Sequence, residues 1–84
     1  MITKDSVETA YCFFHQKHRI YQHSTLDWQK DDIEFAIGEY TDCMSAELYE
    51  KLSAGRHDFL RNHKTFFDDL SAAVNDLEDL LNCF

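Results

Sequence analysis

Five histidines and three cysteines in 84 residues make metal coordination the first chemistry to consider. Glu8, Cys12 and His15 stand at i, i+4 and i+7, one face of a helix, and His18 or Arg19 follows within the next turn. A structural zinc centre needs four tetrahedral ligands, usually delivered as tightly spaced pairs, and no second pair completes this set. The alternative is an exposed polar strip beside a buried Cys12, and on that reading neither metal nor other cofactor is expected. A di-metal carboxylate bundle requires Glu-x-x-His, yet no glutamate of the chain has a histidine three residues on, and HExxH is absent. His57 and Asp58 form an adjacent pair, but metal phosphohydrolases draw further ligands from several more helices, so the pair reads as the exposed start of a helix with Asp58 favourable to its dipole.

Nucleophilic and phosphate chemistry find no better support. There is no GxSxG and no glycine-rich loop, and none of Cys12, Cys43 and Cys83 stands in a context that marks it as activated. Their odd number and wide spacing fit reduced thiols rather than a disulfide framework. The chain is therefore expected not to be an enzyme. Lys17, His18, Arg19 and His23 form a small basic group that can touch a phosphate or the acidic tail of another subunit, too small to argue for nucleic acid.

The elements that carry these residues follow from periodicity. Between Phe59 and Phe84 apolar residues fall in three heptad columns: His63, Leu70, Leu77 and Phe84; Phe59, Phe66, Ala73 and Leu80; Leu60, Phe67, Val74 and Leu81. One long amphipathic helix is predicted there, its stripe wide enough to contact at least two other helices. The columns extend back through Gly55 to Leu52 and Tyr49, so the segment before it is either continuous with this helix or separated from it at Gly55. A separate short helix over Ala46 to Ala54 is preferred, with Ser45 as its cap and Gly55 as its stop. Thr65 with Asp68 resembles a capping box, so a bend near His63 to Thr65 is also allowed.

A first helix is predicted from Asp5 or Ser6 to about Gln22, with Asp5 and Glu8 as a capping pair and Val7, Ala10, Tyr11, Phe13, Phe14, Ile20 and Tyr21 on its apolar side. A second is predicted from Asp27 to Asp42, capped by Ser24 or Thr25. Ile33, Ala36, Ile37, Tyr40 and Met44 form its inner face, Trp28 is a large anchor at its start, and Asp31, Asp32, Glu34, Glu39 and Asp42 are solvated. Gly38 marks a close helix crossing or a tolerated defect. With no proline and two glycines, the fold class is all-α: a single domain over residues 1–84, a small antiparallel bundle of three main helices and one short one, with the C-terminal helix as its spine.

Sixteen acidic residues against eight basic ones give a net charge of −8, which argues against nucleic acid and anionic membrane surfaces as partners. Residues 31 to 84 carry thirteen acids against four bases, and from Thr65 onward there are five acids and no base. The longest apolar run is five residues, Ala10 to Phe14, so neither a signal peptide nor a membrane span is expected and the chain is assigned to the cytoplasm. A helix of 26 residues would overhang its partners by about two turns at ~1.5 Å per residue. The uncovered stripe of Leu70, Leu77, Leu80, Leu81 and Phe84 would then be an interface. The function expected is a protein–protein interaction or adaptor module, meeting a protein partner or itself as a homodimer, and the alternative is an acidic decoy for a basic, nucleic-acid-binding surface. His63 in a core column is expected to be a partly buried, hydrogen-bonded histidine; the sharper reading is a pH-sensitive interface residue, since charging it there would oppose packing.

Overall fold

The computed structural model describes residues 2–84. In chain order its elements are α1 (Lys4–His23), α2 (Asp27–Cys43), α3 (Ala46–Ser53), a 3-10 turn at His63–Thr65 and α4 (Phe66–Cys83). No strand occurs among the described residues. The all-α bundle holds, with α4 packed along α1 as its central pair.

The helix ends differ from expectation in their caps. Thr3 and Ser6, not Asp5 and Glu8, make the reciprocal box on α1: the Ser6 amide donates to Thr3 Oγ1 at 3.1 Å and the Thr3 amide donates to Ser6 Oγ at 3.1 Å. That pair satisfies two of the amides a helix start leaves open. The N-cap of α2 is Leu26, whose aliphatic side chain can make no cap bond, and Ser24, expected as a cap, instead donates its hydroxyl to Gln29 Oε1 at 2.8 Å. Ser45 precedes α3 as expected, but its hydroxyl makes no cap bond.

Residues near the end of α1 meet the start of α4, so the pair is antiparallel. Tyr21 packs on Phe66 and Phe67, and His18 Nε2 lies 2.8 Å from Ser71 Oγ in a hydrogen bond. The ring of Tyr40 on α2 stacks on Phe13, with centroids 4.5 Å apart, and meets Phe14 edge-on. The core gathers Val7, Ala10 and Phe14 of α1, Ile33 and Ile37 of α2, Leu48 and Leu52 of α3, and Phe66, Leu70, Ala73 and Leu77 of α4. Full burial of each large side chain contributes about 1.5–3 kcal/mol. Gly38 stands at no crossing: a Cβ built there would meet nothing within 4 Å, so it is a tolerated defect.

The last helix begins at Phe66, not Phe59. Ala54, Gly55 and Leu60 take left-handed backbone angles, with φ of 54°, 86° and 61°, which a right-handed helix cannot contain. Left-handed geometry costs an ordinary residue roughly 1–2 kcal/mol, so something must hold Leu60 there. Two things do. Its side chain is buried, and its amide donates to Asp69 Oδ2 at 3.0 Å.

Asp69 is the organiser of this connection. It is buried on the first turns of α4 and also accepts from Arg56 Nη1 at 2.9 Å, Arg56 Nη2 at 3.3 Å and Thr65 Oγ1 at 3.2 Å. The hydrogen bond to Asp69 raises the pKa of the Arg56 guanidinium above its ordinary value. Asp58 is pulled below the usual carboxylate range, first by a hydrogen bond from Asn62 and also by the charge on Arg56. Tyr49 Oη donates to the Phe59 carbonyl at 2.7 Å, tying α3 to the same connection. Thr65 thus pairs with Asp69, where the sequence pattern pointed to Asp68.

Candidate functional site

The residues that could do chemistry are dispersed. Cys12, expected to be buried, is exposed, as are Cys43 and Cys83. Tyr11 packs on His15, and His18 faces Ser71 and the Phe67 ring. Burial, and secondarily the charge of His15, holds the His18 imidazole below the usual histidine range. Among the described residues no group of three His, Cys, Asp or Glu side chains is placed to hold a metal ion. The basic group of α1 does not form one patch: Lys17 Nζ lies over the Phe13 ring at 5.5 Å while His18 is turned into the α1–α4 seam. His57 and Asp58 sit in the connection before the 3-10 turn, not on a helix.

His63 is not in the core. With the helix broken ahead of it, the column on which it was placed does not exist, and its side chain is 77% exposed. Its Nδ1–H donates to Glu34 Oε1 and Oε2 at 2.8 and 3.0 Å, the carboxylate being able only to accept. The pair joins the 3-10 turn to α2. Packing against the core therefore supplies no reason for pH sensitivity at this residue.

The C-terminal stripe is smaller than expected. At about 1.5 Å per residue the 18 residues of α4 span roughly 27 Å and the 20 of α1 roughly 30 Å, so α4 does not overhang. Leu70 and Leu77 are completely buried within one chain. Leu80 and Leu81 are half-buried, and Phe84 is 58% exposed.

The largest uncovered aromatic surface lies elsewhere, on α2. Trp28, expected to anchor the helix, is 60% exposed, and Phe35, one heptad on, is 68% exposed. At 100° per residue both point about 140–180° away from the core residues Ile33 and Ile37, and they stand about 10 Å apart along the axis. Together they leave roughly 200–300 Å² of aromatic surface in water. Asp31 and Asp32 lie between them and Glu39 one turn beyond, all exposed. Two other acids of this helix are engaged inside the chain: Asp42 with Arg61 Nη2 at 2.6 Å, and Glu34 with His63. Lys30 is turned to the Tyr21 ring at 5.8 Å. The outward face is thus an aromatic pair set among carboxylates.

No protein-family model, no curated protein and no solved structure matches the chain. The sequence pattern made Trp28 a large anchor at the start of α2 and left Phe35 unassigned. The signal was present: Phe35 falls opposite Ile33 and Ile37 on the helical wheel and seven residues after Trp28, inside a stretch whose other members on that side are acidic.

Proposed function

We propose that this chain is a non-enzymatic protein–protein interaction module whose contact surface is the outward face of α2. The observation that carries the reading is the exposure of Trp28 and Phe35 side by side, in a molecule whose described buried side-chain nitrogens and oxygens are all hydrogen-bonded. Paired aromatic residues on the outside are of the type that dominates interface energetics. Self-association through the C-terminal stripe rests on the smaller patch of Leu80, Leu81 and Phe84.

The test is affinity capture from the cells that make the protein, comparing the wild type with a Trp28→Ala, Phe35→Ala double variant shown by circular dichroism to be folded. A protein retained by the wild type and lost from the variant supports the reading; identical retention by both overturns it. A solution mass near twice 9.9 kDa that returns to the monomer value on Phe84→Asp would move the contact surface to the C-terminal end.

A second reading, the acidic decoy, is favoured by the exposed Asp68, Asp76 and Asp79 on the outer side of α4. Asp69 belongs to the fold and cannot take part. Charge reversal at the three exposed positions abolishes a decoy and leaves docking on α2 intact.

A further inference from the structure

We infer that the outward face of α2 takes a short cationic, amphipathic segment of a partner protein, its apolar side chains on Trp28 and Phe35 and its Lys or Arg side chains on Asp31, Asp32 and Glu39. This rests on α2 being the contact surface and adds the chemistry of what it contacts. Charge complementarity decides the occupant. Asp31, Asp32 and Glu39 are exposed, and the nearby cations are turned elsewhere, Lys30 to Tyr21 and Arg61 to Asp42. A second copy of this chain would bring the same carboxylates against them, within a molecule of net charge −8, and like charges across a contact are strongly unfavourable.

Size sets the form of the occupant. Roughly 200–300 Å² of aromatic surface is a fraction of the ~800 Å² that each side of a stable globular complex buries. One helix or extended segment fits it, with an affinity that salt weakens. An arginine over the exposed face of Trp28 would add a cation–π contact.

The experiment titrates the full chain with three synthetic peptides, following the emission of Trp28, the sole tryptophan, and the backbone amide shifts. The first peptide carries Lys, Arg and Leu at helical spacing, the second replaces every Lys and Arg by Glu, and the third is oligolysine. Saturable binding of the first peptide, mapped to residues 27–43, is expected. Affinity should fall about tenfold or more in Trp28→Ala, Phe35→Ala and in Asp31→Lys, Asp32→Lys, Glu39→Lys, and stay unchanged in Asp68→Lys, Asp76→Lys, Asp79→Lys. Absence of saturable binding by the first peptide overturns the proposal, as does oligolysine binding equally tightly, because charge alone would then suffice. Equal binding by the glutamate peptide overturns the cationic partner and leaves α2 as a contact surface. Shifts confined to α4 or the C-terminal end overturn both.

Discussion

The seam between α1 and α4 and the connection from Ala54 to Thr65 are both buried against one core, but they are held by different physics. In the seam, Val7, Ala10 and Phe14 meet Leu70, Ala73 and Leu77 with no exposed area to speak of, and the side chains need only be apolar and of the right size. In the connection, Phe59 and Leu60 are equally buried, yet they reach the core from backbone that is left-handed at Leu60 and bonded through one carboxylate on α4. Periodic packing tolerates many sequences. A polar hub depends on a single residue, because each of its donors loses its partner when that residue goes.

Phe14→Ala should be the most damaging single change in the seam, costing about 3–5 kcal/mol by cavity formation, read as a lowered midpoint in urea. Asp69→Ala should follow at about 2–3 kcal/mol, since it strands the Leu60 amide and removes the acceptor for Thr65. Its loss should also raise amide exchange at residues 56–65 before it does so in α1, whereas Phe14→Ala should affect the whole molecule together. If Asp69→Ala left both stability and exchange unchanged, the hub would have no energetic role.

Two opposite substitutions sharpen the contrast at smaller scale. Gly38→Ala inside α2, with open space at the new Cβ, should stabilise by about 0.5–1 kcal/mol. Ala54→Gly should stabilise by up to about 1 kcal/mol, because φ of 54° at the end of α3 strains alanine and not glycine. Thermal melts of the two variants and their combination would measure both, and additivity is expected for separate sites.

The smallest effect concerns His18. Its pKa is lowered in the fold from 6.5, so the unfolded chain binds the proton more readily and stability falls as pH drops below about 6.5, down to the folded value. His18→Gln should flatten that part of the stability profile between pH 7 and 5.5. An unchanged slope would remove His18 as a contributor.

Much of the fold was legible because apolar periodicity reports burial. From Phe66 onward the three columns give the helix and the burial of Phe66, Leu70, Ala73, Val74 and Leu77, though not the exposure of Phe67 and Phe84 or the burial of Asp69, and the spans of α1, α2 and α3 follow within about two residues. Before Phe66 the same columns still mark Phe59 and Leu60 as buried, but burial does not require a helix. The stop at Gly55 and the interruption at His63 to Thr65 were legible in local signals; that the chain between them leaves the helix was not, since Leu60 is held there by a tertiary bond to Asp69, nine residues on. His63 was misplaced for the same reason, its column ending where the helix does. The aromatic face of α2 was missed because large apolar side chains are ordinarily assigned inward, and only their position opposite Ile33 and Ile37 separates Trp28 and Phe35 from that rule.

That α1 has α4 as its main neighbour bears on how the molecule is made. During synthesis the stripe of Val7, Ala10 and Phe14 emerges well before its cover. No nascent chain that stops short of α4 can close the core, so the apolar face of α1 must wait, exposed, until α4 is outside the ribosome. Closure of this core is then a single event that waits for α4, and a product truncated ahead of α4 presents an uncovered apolar helix.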